Sequence, residues 1–407
     1  MWVISRFEDV KSVMAHPELY SNRPNQDEAV GFPPKVDQID DETMSRLLAV
    51  VAELPLDFNE LLTARMIVGA DPPQHTRQRM LVSRGFVPRR IAGLSVQVQS
   101  AVEDALGAVN GRERFDLVAD VATPVPVKVI ADLLSVDQDH LEDVKRWSDQ
   151  LATLAQSESR GSADSILALL GMLKEFSEYF VPLIESRRAS PADDLISELV
   201  RAEDNDVLTA TETVLFILVL MSAGNETTTN LIGNTVVALL QNLDQLALLR
   251  ANPELLPSAI EESIRYLSPF QFLFRETIAP IELHGTTIPP GEMLVILVGA
   301  ANRDPRQFED PDRFDITRTT PHLGFGHGIH FCLGAALARM EGRAALEGLL
   351  PFLDEYRLES GSMDLLPSLL IRGFTSIPMV RQRSLQSVFE PGSSRVIHSS
   401  MGAGGAQ

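Results

Sequence analysis

A single cysteine stands in 407 residues, and its surroundings suit a reactive sulfur. Cys332 follows the run Phe325-Gly326-His327-Gly328-Ile329-His330-Phe331 and precedes Leu333-Gly334, at the start of a helical stretch from Leu333 to Leu350. The free N–H groups and positive potential of a helix N-terminus favour thiolate over thiol. A thiolate binds soft metals and iron and donates electron density to them. The plainer reading of a lone cysteine is a small buried hydrophobe. A second group, Ala223-Gly224-Asn225-Glu226-Thr227-Thr228, sets an acid beside a hydroxyl inside an apolar helical segment. Glycine there costs about 1 kcal/mol relative to alanine, and a buried glutamate is expensive unless satisfied. Either a proton relay or a packing glycine followed by a polar turn accounts for it. His75 and Arg79 are four residues apart and share a helical face, and Glu262 and Arg265 form an i,i+3 pair.

These groups need elements to hold them. Thr209-Ala210-Thr211-Glu212 is a capping box, with Thr209 as N-cap and Glu212 reaching back. It opens a helix expected to end near Asn242, roughly thirty residues and about 50 Å long, apolar on nearly all faces and therefore buried. Asp71-Pro72-Pro73 reads as the entry to the helix carrying His75 and Arg79. Helical periodicity dominates from Val121 to Arg201, with breaks at Ser159 to Ser162 and at Ser190-Pro191. Trp2 to Val10 reads as a strand and a helix start, Ser268 to Arg275 alternates toward a strand, and Leu294 to Val298 is a buried strand. Gly285 to Gly291 reads as two turns around a short strand. Residues 25 to 70 are acidic at first and then apolar between Leu47 and Val68.

Composition bounds the class. No linker divides the chain, so one large domain over residues 1 to 382 is expected, with 383 to 407 too poor in apolar residues to pack. One cysteine excludes an internal disulfide. Apolar runs such as Val214 to Met221 are too short to span a bilayer, and no basic-then-apolar leader precedes them, so a soluble cytoplasmic protein is expected. The formal charge of -21 argues against a nucleic-acid partner.

The pattern through Phe325, Gly328, His330, Cys332 and Gly334, continuing as Ala336-Leu337-Ala338-Arg339-Met340-Glu341, resembles the haem-ligand loop of the cytochrome P-450 superfamily, in its bacterial soluble form. The matches run in the family's order from Trp2 to about Val380, although relatives carry an earlier helix and strand before Trp2. The resemblance implies a mainly α fold with a smaller β region, and haem b between the long helix and the cysteine loop. It makes Cys332 the axial iron ligand and places His75, Arg79, Arg275 and His330 on the haem propionates. Phe325 would pack beside the sulfur and Gly334 would admit the macrocycle. Ala223 and Gly224 would leave room for dioxygen, while Glu226 and Thr227 would manage protons.

By the same resemblance, Glu262, Arg265 and Arg313 form a structural network. The helices around the Ser159 break become a lid, and the segment from 25 to 70 either covers the substrate or is an ordinary surface loop with one helix. Candidate substrate walls are Leu220, Met221, Phe270, Phe272, Leu273 and Phe374. The implied reaction is monooxygenation of an apolar small molecule by a monomer, with electrons from a ferredoxin and ferredoxin reductase. Arg77, Arg84, Arg89, Arg90, Arg339 and Arg343 are candidates for the docking face. A peroxide-using or rearranging haem-thiolate enzyme, and a non-catalytic haem sensor, are the alternatives.

Overall fold

The computed structural model describes residues 1–24, 40–156, 162–203, 208–359 and 363–382. Helices dominate, and seven of them position the site: α1 (Phe7–Ala15), α2 (Gln74–Val82), α3 (Ser95–Val109), α4 (Pro124–Leu133), α5 (Ala210–Gln241), α6 (Leu256–Tyr266) and α7 (Ala335–Leu349). The stretch from 141 to 203 forms the helices Leu141–Gln156, Ala163–Ala189 and Leu195–Glu203. Most of the break expected at Ser159 lies outside the described residues, while Ser162 caps the following helix by accepting from the Ser165 N–H. Between 40 and 70 the chain forms two helices, Asp41–Glu53 and Phe58–Thr63, one more than the surface-loop alternative held. The tail from 383 onward lies outside the described residues.

The smaller β region centres on one sheet. Strands β1 (Trp2–Ile4), β2 (Tyr20–Ser21), β3 (Leu273–Thr277) and β4 (Met293–Ile296) lie in the order β1-β4-β3-β2. β1 pairs parallel with β4, Trp2 opposite Leu294, and β3 pairs antiparallel with β4, Arg275 opposite Leu294. A separate apolar cluster, including Ile4, Phe7, Val10, Leu294 and Phe308, joins α1 to this sheet. The larger core fills the space between the helices.

α5 forms as its cap dictates. Thr209 Oγ1 accepts from the Glu212 N–H at 3.1 Å, and the Glu212 carboxylate accepts from the Thr209 N–H at 3.0 Å. The 32-residue helix runs unbroken through Ala223-Gly224 rather than opening there. Thr227 Oγ1 donates to the Ala223 carbonyl at 2.7 Å, taking up its own hydroxyl within the turn. α2 opens directly after Asp71-Pro72-Pro73, as expected, with Pro73 at the N-cap and the His75 N–H donating to the Asp71 carbonyl at 2.9 Å. The side chain of Asp71 is engaged elsewhere. Its carboxylate accepts from Ser21 Oγ at 2.6 Å and from the Asn22 N–H at 2.7 Å, tying α2 to β2.

Candidate active site

The cysteine loop is built by backbone geometry. Gly326 and Gly328 adopt φ values of 73° and 70°, a region glycine enters without the steric penalty of a side chain. At Gly328 the absence of a side chain is also required from outside, since a Cβ would strike the carbonyl of Met14 at the end of α1. The Cys332 N–H donates to the Phe325 carbonyl at 2.8 Å, closing the loop. A Cβ added at Gly334 would meet nothing within 4 Å, so the loop faces open space at that point.

The sulfur environment corrects one sequence expectation. Burial pushes the Cys332 thiol upward, outweighing the Gly334 and Ala335 N–H groups and the cations Arg79 and Arg339, which pull it down. The helix N-terminus is present, but in an apolar site it does not win alone; a bound metal ion deprotonates a coordinating thiol outright.

Beside the sulfur lie basic groups with unmet capacity. The rings of His75 and His330 stand 4.2 Å apart, tilted by 53°. Both nitrogens of His75 and Nε2 of His330 are buried with no hydrogen-bond partner. Burial, then the neighbouring Arg79, lowers His75 to about 4. Burial followed by His75, Arg275 and Arg79 lowers His330 to about 2. Arg275, delivered by β3, is only 4% exposed, and its Nη1 donates to the Phe274 carbonyl at 2.7 Å. Desolvation brings it down to about 10 against the opposing pull of Asp71. Arg79 Nη2 donates to the Phe331 carbonyl at 2.7 Å, on the same side as Cys332. Two neutral histidines with orphaned nitrogens beside a buried guanidinium leave hydrogen-bonding capacity for an acceptor-bearing group at this place.

In the middle of α5, Ala223 is exposed and Thr227 partly so. Glu226 is also partly exposed there. Gly224 does something other than expected. A Cβ at Gly224 would come within 3.3 Å of Ile130 Cδ1, so this glycine lets α4 pack closely on α5. Of the candidate wall residues, Leu220, Phe270, Phe272, Leu273 and Phe374 are partly open. Met221 is 0% exposed and sealed in the main core, which removes it from the wall.

The structural pair on α6 is fully enclosed, with both side chains 1% exposed. Arg265 Nε and Nη2 meet the Glu262 carboxylate at 2.7 and 2.8 Å. Its remaining donors reach the carbonyls of Asn302, Pro311 and Arg313. Arg313 therefore enters through its backbone. The second cation at Glu262 is Arg318, whose Nε lies 3.4 Å from Oε2, a role that spacing alone misassigns because both arginines follow the same Asp-Pro turn.

Of the basic residues named for docking, Arg90 is held by Asp193 and Glu198, and Arg339 by Glu261. Arg77, Arg84, Arg89 and Arg343 are exposed. Asp71, Arg318, Glu261 and His322 were missed in the sequence reading. Glu261 stands beside Glu262, but nothing in its spacing points to a loop some sixty residues later.

A helical fold that sets a half-buried lone cysteine beside histidines with unmet hydrogen-bonding capacity has the makings of a haem-binding protein. The comparisons agree. The family model described as Cytochrome P450 matches residues 164–367. Cytochrome P450 107B1 of Saccharopolyspora erythraea is 40% identical over 383 residues, covering 93% of this chain and 88% of that protein. The 6-deoxyerythronolide B hydroxylase of the same organism is 39% identical over 317 residues, 76% of each chain. The crystal structure of P450BioI in complex with hexadec-9Z-enoic acid ligated acyl carrier protein superposes with a TM-score of 0.79 at 32% identity, covering 94% of this chain and 92% of that one. The chain belongs to the cytochrome P450 family. It is a monooxygenase that binds haem b and takes a small-molecule substrate, dioxygen and electrons from a redox partner. Among the described residues, no helix is long and apolar enough to cross a membrane.

Proposed function

We propose that this enzyme inserts one oxygen atom of dioxygen into a C–H or C=C bond of an apolar small molecule, the other atom leaving as water. The balance requires two electrons and two protons, the electrons coming from a ferredoxin and its reductase. Haem, when bound, supplies the activation of dioxygen. Cys332 would hold the haem iron as a thiolate. His75, Arg79, Arg275 and His330 would hold its propionates, with Phe325 and Gly334 beside the cysteine. Glu226 would supply protons, Thr227, whose hydroxyl hydrogen is donated to the Ala223 carbonyl, would accept one in passing it on, and Ala223 would leave space. The apolar substrate is oriented by Leu220, Phe270, Phe272, Leu273 and Phe374, whose partial exposure supports that role. Arg84, Arg89 and Arg343 offer an acidic ferredoxin a cationic approach, since the short helix Pro88–Gly93 packs on α7.

The observation that carries the reading is the Thr227 hydroxyl in the middle of α5, donating to the Ala223 carbonyl beside Glu226. The experiment couples the purified haem protein to a ferredoxin, its reductase and NADPH, with labelled dioxygen and a panel of apolar compounds that shift the Soret band. Labelled product is expected. Thr227→Val should keep reductant consumption while product falls about tenfold or more, because the proton-holding group is lost. Turnover with peroxide equal to that of the coupled system, unchanged in Thr227→Val, would overturn it.

A further inference from the structure

Glu261 precedes the structural Glu262 on α6 but points to a different place. Its carboxylate receives both arms of Arg339, from Nε at 2.6 Å and Nη2 at 2.8 Å. His322 Nε2 joins it at 3.2 Å. Because His322 Nδ1 accepts the Gly324 N–H at 3.0 Å, the ring's proton sits on Nε2 and is donated to Glu261. Burial raises this carboxyl, yet the bonds from Arg339 and His322 prevail and hold it at about 2. So the charge is permanent near neutrality.

The clamp reaches the cysteine loop by two routes. Arg339 lies over the Phe325 ring, its guanidinium carbon 4.4 Å from the centroid, and the Phe325 carbonyl receives the Cys332 N–H. Gly324, next to Phe325, has no room for a side chain against Ile264 of α6. Arg339 and Cys332 also feel one another's charge directly. As a stabilising ion pair the Glu261–Arg339 contact is modest, because the two side chains are 36% and 39% exposed. Its geometry, bidentate and stacked on the ring beside the ligand, serves placement.

We propose that Glu261 is a positioning residue for the cysteine ligand, neutralising Arg339 and seating it on Phe325 so that the sulfur donates to iron without a bare cation beside it. This rests on Cys332 being the iron ligand. An uncompensated Arg339 would draw electron density toward itself and weaken donation, which favours the reduced, less positively charged iron.

The test is the reduction potential of the haem protein, read with the carbon monoxide difference spectrum. Glu261→Gln is expected to shift the potential positively while the thiolate-ligated carbon monoxide band is kept. Arg339→Gln should shift it negatively, and the double variant should return close to wild type. Glu261→Asp, which keeps the charge, should restore most of the wild-type value. Loosening of the fold alone would move both single variants the same way, and that result would overturn the proposal, as would an unchanged potential in Glu261→Gln. A wild-type protein lacking the thiolate band would remove Cys332 as ligand and this inference with it. A normal wild-type band with unmoved variants would sink only the role of Glu261.

Discussion

His75 from α2 and His330 from the cysteine loop meet ring against ring, with centroids 4.2 Å apart, and neither has a protein partner at its free nitrogens. Two buried imidazoles left this way have unmet hydrogen-bonding capacity until an acceptor arrives. Replacing His330 by Leu should therefore weaken haem retention, by about 1.5–3 kcal/mol for one charge-assisted bond, or roughly 10- to 100-fold in affinity. The ratio of Soret to protein absorbance during transfer of haem to an excess of apomyoglobin measures it. Unfolding of the haem-free protein should change little, since the nitrogens contribute nothing there.

Gly328 and Gly285 both have positive φ, 70° and 77°, but only Gly328 faces a neighbour. Alanine at Gly285 should cost about 1–2 kcal/mol, the left-handed penalty alone. Alanine at Gly328 adds a collision with the Met14 carbonyl and should cost clearly more, displacing α1 or the cysteine loop. Thermal unfolding of the two variants, run side by side, separates strain from collision.

Arg318, not named in the sequence analysis, supplies at Glu262 the cation that the resemblance implied Arg313 would supply. Arg313→Ala should leave stability within about 0.5 kcal/mol, because the Arg265 contact uses its carbonyl and its exposed side chain faces Asp244 and Asp315 only through solvent-screened charge. Arg318→Ala should destabilise more, by removing the second cation at buried Glu262. Glu262→Gln, which strands the Arg265 guanidinium, should cost about 3–5 kcal/mol. Urea unfolding midpoints give the ranking; equal effects at Arg313 and Arg318 would contradict it.

Glu341 on α7 is buried, has an unpartnered Oε2, and is raised by desolvation from 4.5 to about 8. The folded state thus keeps a proton that the unfolded chain releases near 4.5. Its contribution is fully present below that pH and is lost as pH rises toward 8, at roughly 1.4 kcal/mol per unit. Glu341→Gln should flatten the stability profile across this window and be more stable than wild type at its alkaline end. Denaturant titrations at three pH values suffice, and parallel profiles would show that Glu341 does not hold the proton.

Local chemistry was the legible part. The Thr209–Glu212 capping box, the length of α5 and the alternation leading into β3 depend on near neighbours, so their residues announce them. The sulfur's environment was misjudged because the sequence shows the helix start at Ala335 but not the apolar shell around Cys332, whose desolvation outweighs it. Gly224 looked like space for a ligand, and packing filled that space with Ile130 from α4. Met221 looked like a wall residue until the rotation of α5 about its axis turned it into the core.

By itself, then, the sequence determined the family and with it the haem, because a glycine-rich loop of fixed spacing carries its geometry in its own backbone angles; Cys332 as the ligand is the reading proposed above. Only the tertiary structure decided which groups compensate which acids: Arg318 at Glu262, Arg339 with His322 at Glu261, and Ser21 with the Asn22 N–H at Asp71. Coulombic and hydrogen-bond partners are selected by distance in space. Distances of 3 Å between α6, the cysteine loop and α7 arise only when the core has packed.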